Sequence, residues 1–67
     1  MNEQAQLINF FRYNHLPAGP LRETSMSFSV LARKLDEKIP NSPEKTAMLR
    51  KLLEAKDCAV RACLLED

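Results

Sequence analysis

Apolar residues recur along the last third of the chain with two interleaved helical stripes. In NSPEKTAMLRKLLEAKDCAVRACLLED, Met48, Leu52, Ala55, Ala59 and Ala62 are spaced 4, 3, 4, 3, a coiled-coil-like seam. Leu49, Leu53, Val60 and Leu64 form a second stripe, about 100° further round the axis. Neither Gly nor Pro interrupts the run after Pro43. Ser42 is a good N-cap, Pro43 suits the first helical position, and Glu44 complements the helix N-terminus. Asn41 and Glu44 would also fit a capping box if the helix began one residue earlier. The pattern predicts a helix over about residues 43–65. Arg50 with Glu54 and Asp57 with Arg61 add oppositely charged i,i+4 pairs, each worth a few tenths of a kcal/mol.

A second helix is predicted over about residues 20–38. Pro20 opens it after Gly19, and Leu21, Thr24, Phe28, Leu31 and Leu35 form its apolar stripe. Pro40 closes it, because a residue before proline avoids the α conformation. The short link IPNSP makes the two helices an antiparallel hairpin. A shorter helix is predicted over about residues 3–12, with Leu7, Ile8 and Phe11 on one face and Phe10 assigned to the core. The fold class is therefore all-α, one domain over residues 1–67. A two-helix hairpin needs one stripe per helix. The second stripe on the last helix needs another cover, so assembly into a compact homo-oligomer is expected.

Bulk properties narrow the classes of function. A chain of 67 residues buries only about 60% of its unfolded surface and is marginal alone. Its apolar fraction of 45% excludes wholesale disorder. No run of 18 apolar residues suggests a membrane span, and MNEQAQLINFF does not read as a secretory signal. The net charge is +1, and residues 41–67 balance five basic against five acidic side chains. That disfavours a duplex DNA or RNA partner, which needs clustered Lys and Arg. Cys58 and Cys63 fall on different faces of one helix and are read as reduced, small core residues.

The unusual residues gather in FFRYNHLPAGPLR, residues 10–22. This stretch holds three of the four aromatics, the one glycine, the one histidine and two arginines with no acid. Aromatic faces can stack bases, and arginine can grip phosphate oxygens with two parallel N–H groups. The helix starting at Pro20 offers free N–H groups to an anion, and Ser25 adds a hydroxyl one turn in. Arg22 is the sharpest signal, because a cation in a first helical turn opposes the helix dipole. The bland alternatives are a core role for Phe10, Phe11 and Phe28, and a core-capping role for Tyr13; whether Phe11 faces ligand or core stays open. Lys34, Arg50, Lys51 and the Asp36–Glu37 pair read as solvated helix faces. His15, Cys58 and Cys63 lack any zinc spacing, and no P-loop, GxGxxG or HExxH is present. No metal, no cofactor and no catalytic residue is expected.

The run LPAGPLR, then LARKL, then IPNSPEKTAMLRKLLEAKDCAVRA resembles the small phage proteins known as anti-CBASS sponges. These share a helical-hairpin domain with a Thoeris anti-defence sponge. The resemblance spans about residues 10–64 and is strongest in LLEAKDCAVRA, a packing motif. It implies a non-enzymatic protein in the host bacterial cytoplasm. Such a protein sequesters cyclic di- and trinucleotide second messengers at the subunit interfaces of a homo-oligomer, typically a hexamer. By position it implies Phe11 or Tyr13 as the stacking group and Gly19, Pro20, Leu21, Arg22, Ser25 and Met26 around the helix start. The family's lysine in this region is Met26 here, so Arg22 or Arg12 must supply the phosphate contact. Holding a messenger at nanomolar levels takes about 12 kcal/mol, which stacked bases and arginines can provide. The alternatives are a helical interaction module without nucleotide, a small nucleic-acid binder and an orphan enzyme.

Overall fold

The computed structural model describes residues 3–65. Three helices and no strand lie among them: α1 (Glu3–Asn9), α2 (Pro20–Lys38) and α3 (Pro43–Leu65). The two long helices start and stop on local chemistry. Gly19 caps α2 at φ 139° and ψ −173°, a region essentially reserved for glycine. Its carbonyl accepts the Glu23 N–H at 3.0 Å. Ile39 leaves α2 in extended conformation, as Pro40 requires. Ser42 caps α3: its Oγ accepts the Lys45 N–H at 3.1 Å, and its carbonyl accepts the Thr46 N–H at 3.1 Å.

The hairpin is antiparallel, since Asp36 pairs with Lys45 near the turn and Thr24 with Cys63 at the open end. Near the turn, Lys45 is buried to 4% exposure. Its ammonium reaches Asp36 Oδ1 at 2.8 Å, the Asp36 carbonyl at 2.7 Å and Asn41 Oδ1 at 3.0 Å. All three ammonium protons thus have acceptors. Asp36 is therefore part of a clamp that locks the turn, not a solvated helix end. Thr24 Oγ1 and Cys63 Sγ meet at 3.4 Å.

The core is small. Leu7, Phe11, Ala32 and Leu49 are buried, with Ile8, Phe28, Met48, Leu52 and Leu53 packed around them. The molecule measures 40 × 19 × 19 Å. A helix is about 10 Å across with its side chains, so this cross-section cannot enclose either long helix, and both keep exposed flanks.

Several expectations are corrected. The first helix ends at Asn9, not near residue 12, because the chain tightens into i→i−3 turns: Phe10 N–H to Leu7 O at 3.0 Å and Phe11 N–H to Ile8 O at 3.1 Å. The turn swings Phe10 outward, to 62% exposure, and drives Phe11 fully inside. Phe11, not Phe10, is the core aromatic. The buried seam of α2 consists of Ser25, Ser29 and Ala32. The larger stripe read from the sequence only flanks it, and Leu31 is 44% exposed. Small residues occupy the seam because they let α2 approach α3 and Phe11 closely. Cys58 is exposed rather than core, and Cys63 is half-buried.

Candidate functional site

The first turns of α2 face the second half of α3 across a cleft of about 240 Å³. It is lined by Leu21 and Ser25 of α2, by His15 and Leu16 of the preceding loop, and by Lys56, Asp57, Val60 and Arg61 of α3. Ser25 is 1% exposed, and its hydroxyl has no hydrogen-bond partner. One turn on, the equally buried Ser29 receives an N–H from Arg33 Nε at 3.2 Å. The difference is local: the residue four after Ser29 is an arginine, whereas the residue four after Ser25 is Ser29 itself. Nor does Ser25 bond back to a carbonyl one turn earlier, the usual retreat of a helical serine, which Ser27 takes with Glu23 at 3.1 Å.

Lys56 forms one wall of the cleft. Its Nζ donates to the Phe10 carbonyl at 2.6 Å and lies 5.9 Å from the centroid of the Phe11 ring, within cation–π reach. Burial lowers its pKa, and neighbouring Asp57 pulls in the opposite direction. Arg61 donates one N–H to Cys58 Sγ at 3.5 Å.

Beside the cleft, the Arg22 guanidinium lies 5.8 Å from the centroid of the Tyr13 ring. Both side chains are half-buried. Arginine in the first turn, odd for the helix dipole, is thus held by an aromatic face supplied from the loop.

The nine residues singled out from the sequence separate into distinct places. Leu21 and Ser25 line the cleft, Tyr13 and Arg22 form the stacked pair, and Gly19 and Pro20 shape the helix start. Arg12 stands with Asn14 and His15 around a neighbouring shallow cavity. Met26 is 40% exposed, one residue beyond the buried Ser25. Phe11 is fully buried and lies beneath the Lys56 ammonium, so of the two stacking candidates, Phe11 and Tyr13, the half-buried Tyr13 is the one left accessible. The sequence reading missed Lys56 and Arg61. Lys56 was legible: it falls four residues after Leu52 and four before Val60, a cation inside the apolar face of α3. Arg61 carries no such signal, since its i,i+4 spacing from Asp57 already accounts for its charge.

A second depression, of about 500 Å³, opens where Leu35 meets Met48, Leu52 and Ala55. It is apolar, and the exposed Leu31 belongs to the same flank of α2. Among the described residues no group of three or more His, Cys, Asp or Glu side chains gathers as a metal site. No helix there is long and apolar enough to cross a membrane. Compared with known proteins, the chain matches no family model, no curated protein and no solved structure.

Proposed function

We propose that the chain is a non-enzymatic binder of cyclic di- and/or trinucleotide second messengers. It would act in the host bacterial cytoplasm as a phage-encoded anti-defence protein, denying the messenger to CBASS-type effectors. The observation that carries this reading is the Tyr13–Arg22 pair at the start of α2. The ring holds the guanidinium at one face, and a base stacking on the same half-buried aromatic would sit beside a cation. The planar N–H fork stays directed by the stack and suits a phosphodiester. The resemblance of LPAGPLR and LLEAKDCAVRA to the anti-CBASS sponges supplies the ligand class.

Isothermal calorimetry against a panel of cyclic di-, tri- and tetranucleotides and cyclic ADP-ribose isomers tests the reading. At least one should bind below micromolar Kd. Arg22→Ala should weaken that ligand about tenfold or more, the loss of a charged hydrogen bond, with the circular dichroism spectrum unchanged. Silence across the panel would sink the proposal.

Self-association belongs to the same proposal. The depression at Leu35, Met48, Leu52 and Ala55 with Leu31 beside it leaves an apolar flank on both long helices, and a core with four buried hydrophobic side chains among the described residues is slender support for a lone monomer. Native mass spectrometry should show one closed oligomer, with six copies expected, and Leu31→Glu, at an exposed position of the same flank, should reduce it to smaller species. A wild-type monomer at micromolar concentration would refute this part. The reading without nucleotide, a helical interaction module, gains from the same apolar flank but leaves the Tyr13–Arg22 pair without a use.

A further inference from the structure

We infer that the cleft between the first turns of α2 and the second half of α3 is a phosphate-binding site, with the Ser25 hydroxyl, the Lys56 ammonium and the Arg61 guanidinium as donors to one phosphate group. The inference stands on the cleft alone and does not require a cyclic ligand.

Three observations converge on it. First, the Ser25 hydroxyl is 1% exposed and unpartnered, although its neighbour Ser29 on the same seam is satisfied. A buried polar group without a partner is costly and uncommon, and an oxyanion in the cleft would accept a hydrogen bond from it. Second, Lys56 stands inside an apolar helix face, where a leucine would pack better. Its ammonium has one carbonyl acceptor, at Phe10, and two further protons to give. Burial depresses its pKa, and an anion beside it would restore the charge balance. Third, Arg61 spends one N–H on a weak sulfur acceptor and keeps the rest of its fork. Asp57 is the one acid among the lining residues, against Lys56 and Arg61, so the wall stays net cationic without any charge on His15.

Size sets the ligand fragment. About 240 Å³ is below the roughly 300 Å³ at which pockets begin to hold a drug-sized molecule. The cleft accepts a phosphate and the sugar next to it, not a whole cyclic dinucleotide. The chemistry is shared by free phosphate, a nucleoside monophosphate and one phosphodiester of a larger ligand.

The test is a titration of the full chain followed by amide chemical shifts, at ionic strength held constant with sodium chloride. Inorganic phosphate should give saturable shifts at Ser25, Lys56 and Arg61 at millimolar concentration. Ser25→Ala should weaken phosphate about fivefold, and Lys56→Met about tenfold or more. Ser25→Ala should melt no lower than wild type, because it removes an unpartnered buried hydroxyl. Lys56→Met gives up the Phe10 carbonyl bond and is checked for native fold by its circular dichroism spectrum, so a misfolded variant is recognised. Absence of saturable shifts, or equal affinity in wild type and both variants, overturns the inference. Parallel arms use a nucleoside 5′-monophosphate and a cyclic dinucleotide. Tighter binding of the cyclic arm, lost in Ser25→Ala, places one of its phosphodiesters here. Phosphate binding with no cyclic nucleotide binding keeps this site and removes the function proposed above.

Discussion

Phe11→Ala should leave the free chain largely unfolded at 25 °C. Phe11 is fully buried at the centre of the core, among Leu7, Ala32 and Leu49. Truncating a buried phenylalanine costs about 3–5 kcal/mol, part transfer energy and part cavity. Small domains have only about 5 kcal/mol to lose, and this one draws on few buried side chains. The ring also supports the Lys56 ammonium from 5.9 Å, so its loss strips Lys56 of its aromatic floor. Urea denaturation followed by circular dichroism checks the prediction: the cooperative transition should vanish or shift to the lowest denaturant. Phe10→Ala is the control. At 62% exposure it should change stability by less than about 1 kcal/mol. Equal effects from the two would mean that the turn after Asn9 does not place them as described.

Lys45→Met should be the second most damaging change. Methionine keeps the length of the side chain but removes the ammonium. The Asp36 carboxylate, the Asp36 carbonyl and Asn41 Oδ1 then lose their donor together. Removing one partner of a fully buried ion pair costs about 3–5 kcal/mol. The Asp36 side chain is 37% exposed and can rehydrate, so about 2 kcal/mol is the expected loss. For a domain of this size that lowers Tm by roughly 8–16 °C. A fall of less than about 3 °C would show that the clamp adds little beyond the Ser42 cap.

Much of the architecture could be read from local chemistry. Pro20, Pro40, Ser42 and Pro43 punctuate the chain through backbone rules that need no tertiary context, and α2 and α3 run between them. Leu7, Ile8 and Phe11 share a face as the period requires. The end of α1 was not legible, because Phe10 and Phe11 prolong the apolar pattern while the backbone tightens beneath them. Nor was the seam of α2. Hydrophobicity points to Leu31 and Phe28, yet close approach selects Ser25, Ser29 and Ala32, a matter of volume that period does not encode. Lys45 and Asp36 look like surface charges until the hairpin turn brings them to 2.8 Å.

The candidate site divides the same way. Ser25 and Arg22 stood out from the sequence by position and by conflict with the helix dipole. The loop supplies Tyr13 to Arg22, a contact between elements that spacing alone does not give. Lys56 is the instructive case. A cation within the Leu49, Leu53 and Val60 stripe breaks the pattern of its own helix. Such a break in local consistency is where function tends to show. The break is a single residue, whereas FFRYNHLPAGPLR concentrates most of the chain's unusual residues in one segment.

Under the proposed function the chain would hold a cyclic oligonucleotide and leave it chemically unchanged. The most direct measurement mixes native protein with the tightest ligand of the calorimetric panel, washes away the excess, denatures the protein and chromatographs what is released. A stoichiometric amount of nucleotide, chemically unchanged, should be released, and much less from Arg22→Ala. Recovery of no nucleotide, or of a linearised or otherwise altered one, would rule the proposed function out.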